Sequence, residues 1–288
     1  LRSSDDIKKL ILGVAENDAR IRAVLLTGSR ANAKIIPDKY QDFDIVFIVT
    51  DVSSFISDHS WANIFGEKLI WQLPDEMMLY NDETKNTCSF HYLMLFKDGN
   101  RIDLTLFPID KMRDQFHQEG MSITWLDKDK LFPEEYKFDD TNYLIKKPTE
   151  KEFLETCNEF WWVSTYVAKG LLRNEITYSK EMLERFVRPM FMKIIEWYVG
   201  DKMEFSVSFG KGGKFMKNFL PETIYNRILQ TYSDQHPENN WKALFVMMEL
   251  CSELAQSVAN ALGFHYSGDE ERNVSKYIRQ LYTERSQD

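Results

Sequence analysis

The spacing of apolar and polar positions changes character along the chain. Ile7, Leu10, Ile11 and Val14 fall three and four residues apart, which predicts an opening helix capped by Ser4 or Asp5. Short β-branched and aromatic runs come next. Residues 21–27 predict a strand that stops at Gly28-Ser29, residues 42–50 predict a second, and 68–72 a short third. Residues 90–96 and 101–107 predict two more, joined by Lys97-Asp98-Gly99-Asn100, where Asp-Gly tolerates the positive φ of a tight hairpin. After Lys146-Lys147-Pro148-Thr149 the period becomes helical. Pro148 disfavours helix just before it, and Thr149 can cap the next helix, with Glu152 at capping-box spacing. Helices are expected over about 150–170, 178–200, 221–232, 239–262 and 270–284, with a Gly-rich loop at 205–214. The pattern therefore predicts an α+β chain: a mixed or antiparallel sheet domain over residues 1–147, then an all-α domain over residues 148–288.

Composition narrows the function classes. The 288 residues carry 36 Lys+Arg against 45 Asp+Glu, a net charge of −9, which makes a poor generic partner for nucleic acid and a better host for a cationic ligand. Cys88, Cys157 and Cys251 are widely spaced and odd in number, which argues against a disulfide framework or a cysteine zinc site. The five histidines lack zinc spacing. Residues 1–6 have no signal-peptide shape and no apolar run reaches the length of a membrane span, so the expected location is the cytoplasm, away from membranes.

Three carboxylates interrupt apolar strands. Asp42 and Asp44 alternate with Phe43 and Ile45, so both point to one face of their strand, where like charges repel. A divalent cation with a preference for oxygen ligands, Mg2+ above all, would relieve that repulsion. Asp103, in Ile102-Asp103-Leu104, joins them if its strand is a neighbour. Gly28 allows close backbone approach to a phosphate, and Ser29 can donate to it. Arg30, Lys169, Lys211 and Lys214 are candidates for a triphosphate. Glu152, Glu155 and Glu159 have helical spacing and share a face, with Trp161, Trp162 and Tyr166 nearby, a composition suited to a guanidinium-bearing ligand.

The order strand, Gly28-Ser29-Arg30, gap, Gln41-Asp42-Phe43-Asp44-Ile45, and then Ile102-Asp103-Leu104-Thr105-Leu106 resembles the nucleotidyltransferase superfamily. Further stretches, among them Leu126-Asp127-Lys128-Asp129, Cys157-Asn158-Glu159-Phe160-Trp161 and Tyr166-Val167-Ala168-Lys169-Gly170-Leu171, resemble one branch through nearly the whole chain: the bacterial aminoglycoside 6-adenylyltransferases, also called streptomycin adenylyltransferases. Thr27 departs from that branch, which usually carries Glu before Gly-Ser. The resemblance implies a nucleotidyltransferase-type sheet domain and transfer of AMP from ATP to a hydroxyl of streptomycin or a similar aminoglycoside, with release of pyrophosphate. It implies Mg2+ on Asp42, Asp44 and Asp103. Asp103 is the expected general base and Glu159 the second choice; Glu155, Glu159 and Trp161 are expected at the acceptor. The expected assembly is a monomer or weak dimer. Two alternatives stay open at this point: a nucleotidyltransferase acting on another small hydroxylated molecule or a protein, and a non-catalytic nucleotide-binding module.

Overall fold

The computed structural model describes residues 2–33, 35–80, 88–112, 122–132 and 141–285. It divides into two compact units, Leu1–Asn142 and Tyr143–Asp288, each with its own apolar core. Ile145, expected within the first domain, packs into the core of the second unit, and its N–H donates to Val207 O at 2.9 Å.

The first unit is a six-stranded sheet. Its strands are β1 (Ile21–Thr27), β2 (Phe43–Val49), β3 (Lys68–Gln72), β4 (Phe90–Phe96), β5 (Arg101–Pro108) and β6 (Ile123–Asp127). Their spatial order is β3-β4-β5-β2-β1-β6. All neighbours run antiparallel except β2 and β5, which are parallel, so the sheet is mixed. Helix α1 (Ser4–Asn17) buries Ile7, Ile11 and Ala15 in the same core as Phe43, Ile45, Phe47, Tyr92, Met94 and Leu104. Its cap is Ser3, one residue before the first of the expected caps: Ser3 and Asp6 exchange side-chain and backbone hydrogen bonds in a capping box. Among the described residues this unit has two further short α-helices, α2 (Gly28–Ala31) and α3 (Ser53–Ile56). Strand β6 is not predicted by the hydrophobic pattern. It has five residues, none of them buried, and fewer apolar positions than β1 or β2.

The second unit is helical: α4 (Glu150–Leu172), α5 (Ile176–Met182), α6 (Arg188–Lys202), α7 (Glu222–Gln230), α8 (Pro237–Leu262) and α9 (Asp269–Glu284). Thr149 caps α4, its side chain accepting from Glu152 N at 3.1 Å. The helix expected over 178–200 runs without a break, with a π-helical turn, Leu183–Val187, between α5 and α6. Pro189 lies two residues after that turn. It has no N–H for an i−4 bond, and the widened turn absorbs that gap. Among the described residues no helix is long and apolar enough to cross a membrane.

Candidate active site

The site in the first unit grows from strand alternation. On β2, Phe43, Ile45 and Phe47 are buried while Asp44 and Val46 are half-buried on the opposite face. On β5, Ile102, Leu104 and Leu106 are buried and Arg101 and Asp103 take the other face. The parallel pairing places Asp44 directly opposite Asp103, and β1 places Thr27 opposite Asp44. Thr27 Oγ1 donates to Asp44 O at 3.2 Å. The carboxylates of Asp42, Asp44 and Asp103 thus share one sheet face, on the two central strands that run in the same direction.

Gly28 is fitted to this arrangement. Its φ is +66°, and a Cβ placed there would lie 2.1 Å from Asp44 Oδ2. The turn after β1 therefore closes against the carboxylate itself, which requires glycine on both counts. Ser29 comes next, half-buried, with its carbonyl accepting from Gln41 Nε2 at 3.4 Å.

Burial is the main influence on Asp44, with the charges of Asp103 and Asp42 adding to it. Together they push its carboxyl up to about 6. Burial also raises Asp42. No described residue donates a hydrogen bond to the Asp44 carboxylate, so a half-buried acid is left facing two others. Asp103 is held differently. Arg101 donates from Nε to Oδ1 at 2.8 Å and from Nη2 to Oδ2 at 2.7 Å, and Arg101 Nε lies 3.6 Å from Asp42 Oδ2. Among the described residues no three His, Cys, Asp or Glu side chains are gathered as a metal-binding group. The donor chemistry nonetheless suits a hard divalent cation: three carboxylates on one face, one of them without a hydrogen-bond donor and resisting charge.

Arg30, expected at the phosphates, is spent inside the fold. Its Nε donates to Asp42 O at 3.0 Å, its Nη2 to Gln41 O at 2.7 Å and its Nη1 to Ser4 Oγ at 3.1 Å, and its guanidinium lies 3.9 Å from the centre of the Phe43 ring. It braces the entry to β2 and so positions Asp42. Sequence reasoning missed Arg101. The available signal was a cation two residues before Asp103, on the same face of one strand.

The second unit carries the remaining candidates. Glu155 and Glu159 are exposed on α4 and line one cleft of about 650 Å3 with Asn158, His265, Asp269 and Glu270. Asn158 Nδ2 donates to Glu270 Oε2 at 3.0 Å. Glu152, one turn earlier, lines a different cleft of about 620 Å3 with Lys146, Lys147, Lys193, Glu196 and Lys211. Burial raises the Glu196 carboxyl. Lys214 is exposed beside Phe215, its Nζ 5.0 Å from the ring centre, and Lys169 is half-buried in the last turn of α4. The expectation for Trp161 is corrected. It is 1% exposed in the helical core, edge-on to Phe160, so it holds α4 in place and offers no face to a ligand. Its exposed neighbour is Trp162, bonded through Nε1 to Tyr166 Oη at 2.7 Å. Asp269 and Glu270 were missed because acids in the first turn of a helix are ordinary complements to its dipole.

The chain is similar to known proteins along nearly its whole length. A family model described as streptomycin adenylyltransferase matches residues 1–281. An aminoglycoside 6-adenylyltransferase of Bacillus subtilis (strain 168) is 40% identical over 283 residues, covering 98% of this chain and 99% of its own length. One from Campylobacter jejuni is 40% identical over 280 residues, 97% of this chain and 96% of its own. A crystal structure of an aminoglycoside 6-adenyltransferase from Bacillus subtilis, 38% identical, covers 98% of this chain and 99% of that one, with a TM-score of 0.48. The chain belongs to the streptomycin adenylyltransferase family.

Proposed function

We propose that this chain transfers AMP from ATP to a hydroxyl of an aminoglycoside and releases pyrophosphate. The observation that carries the reading is the in-register pairing of Asp44 with Asp103 on adjacent parallel strands, with Asp42 on the same face and Gly28 closed against Asp44. The acceptor oxygen forms a bond to the α-phosphorus as the bond from that phosphorus to the bridging oxygen breaks. Asp103 takes the hydroxyl proton, and Glu159 is the second candidate for that step. Asp42, Asp44 and Asp103 are the residues that would hold Mg2+, which when bound neutralises phosphate charge and makes the phosphorus more open to attack. Gly28 and Ser29 lie where a phosphate can approach the backbone. Arg30 keeps Asp42 in place. Lys169, Lys211 and Lys214 are the second unit's candidates for the polyphosphate.

A cationic acceptor suits Glu155 and Glu159, and the cleft they line adds Asp269 and Glu270. The net charge of −9 favours such a ligand and disfavours nucleic acid as a partner. The working form on this reading is a cytoplasmic monomer or weak dimer. The test incubates the protein with ATP, Mg2+ and a panel of aminoglycosides, and reads the antibiotic by mass spectrometry. An adduct of one AMP is expected with a streptomycin-like compound, absent for Asp42→Asn. A full panel without any adduct would instead favour another hydroxylated acceptor.

A further inference from the structure

The reaction as proposed makes no use of Arg101, yet this residue has the closest engagement with the carboxylates. It opens β5 two residues before Asp103, so both side chains leave the strand on the same face. Its guanidinium grips both Asp103 oxygens, at 2.8 and 2.7 Å, and reaches to 3.6 Å from Asp42. Among the described residues it is the cation paired with these two aspartates.

We propose that Arg101 is the resident counter-ion of the carboxylate cluster: it holds Asp103 against a divalent cation and gives it up when metal and nucleotide arrive together. The inference rests on the functional reading above. Both oxygens of Asp103 are engaged by a planar fork, so ligation by Asp103 has to break a two-bond, charge-assisted pair. A second cation brought to the same carboxylates also meets the repulsion of the first. Nucleotide phosphates change this balance, because they offer the guanidinium an equally suitable two-oxygen partner. Arg101 also has room to move. Its side chain is 43% exposed, and it edges a groove of about 630 Å3 with Ile70, Gln72, Leu93 and Leu95. Its aliphatic stem can lie along those side chains while the charged head turns, without a charge being buried unpaired.

The consequence is a site that takes up metal poorly by itself and well with ATP. The experiment titrates Mn2+ into the full chain without nucleotide and reads the affinity by calorimetry or electron paramagnetic resonance. Arg101→Gln should bind Mn2+ about tenfold more tightly than the unaltered protein, the size expected for one charge-assisted pair. Arg101→Lys keeps the charge without the fork and should fall between them; it also serves if the Gln variant fails to fold. In an Asp103→Asn background the Arg101→Gln gain should vanish, and it should vanish again when a non-hydrolysable ATP analogue is present. If Arg101→Gln leaves Mn2+ affinity unchanged or weaker while Asp42→Asn abolishes binding, the role given to Arg101 is wrong and the metal site stands. If Asp42→Asn binds Mn2+ as the unaltered protein does, the metal reading itself fails, and this inference with it.

Discussion

At Gly28 and Asp44 there is space for one side chain, and Asp44 fills it. A Cβ on residue 28 would sit 2.1 Å from Asp44 Oδ2, at a φ of +66° that costs an L-residue about 1–2 kcal/mol. Gly28→Ala should therefore remain folded, slightly less stable, with the Asp44 carboxylate displaced. A misplacement of that size lowers turnover by about 10²-fold. Steady-state kinetics beside a thermal melt separates the two effects, and normal turnover would show that the close approach has no role in the chemistry. Asp44 itself supports a pH prediction. Its folded pKa is raised from 3.8 to about 6, so the folded state holds the proton more tightly than the unfolded chain. The stability tied to that proton is present below pH 3.8 and is lost as pH rises to about 6. In metal-free protein, Asp44→Asn should then melt above the unaltered chain at pH 7.5, and the gap should close near pH 4. A gap of equal size at both pH values would refute the assignment of the strain to a charged Asp44.

Among the elements, α4 shows how one helix can serve two ends. Phe153, Cys157, Phe160, Trp161 and Val167 bury one face, and Glu155 and Glu159 line the acidic cleft from the other. Glu155→Gln and Glu159→Gln should each raise the acceptor KM by about tenfold or more, as expected for one charge-assisted contact worth about 1.5–3 kcal/mol. ATP affinity should stay unchanged; an unaltered acceptor KM in both variants would remove this cleft from the reaction. The same helix marks what the sequence could convey. Its cap at Thr149 and its apolar period are local signals and were legible, as were β1, β2, β4 and β5. The burial of Trp161 was not, because an aromatic two residues from an acid reads alike as cleft wall or core until the packing is known. The pairing of Asp44 with Asp103 was legible as a need, since two acids on one strand face call for company. The fork of Arg101 on Asp103 was not, since Arg101 reads from its position as a strand-end residue.

For the whole molecule, cores confined to one unit or the other imply two separable folding units. The helical core is built from residues 145 to 278, and the sheet cores lie entirely within the first unit. A fragment of residues 143–288 should accordingly keep a helical circular-dichroism spectrum and a cooperative melt, while showing no Mn2+ binding, because Asp42, Asp44 and Asp103 all lie outside it. A fragment that stays unfolded would show that the second core needs the first.

The single parallel pairing in the sheet also imposes an order on how the chain assembles. Strands β4 and β5 meet through a four-residue turn, and β1 and β2 lie next to each other along the chain. Contacts between segments close in sequence form early, because little chain freedom is lost in closing them. The seam between these two locally formed pairs is β2 against β5, and it joins segments far apart in sequence. Until that seam closes, Asp44 and Asp103 sit on different pieces and the proposed site is not assembled. Its closure brings like charges together, and the opposing pull comes from residues one position away: Phe43, Ile45 and Phe47 meeting Ile102, Leu104 and Leu106 across the other face. Each of the two strands thus carries one acid of the proposed site and the apolar neighbours that draw that acid into place, so the late-forming seam is also where foldability and the proposed chemistry are encoded in alternate residues.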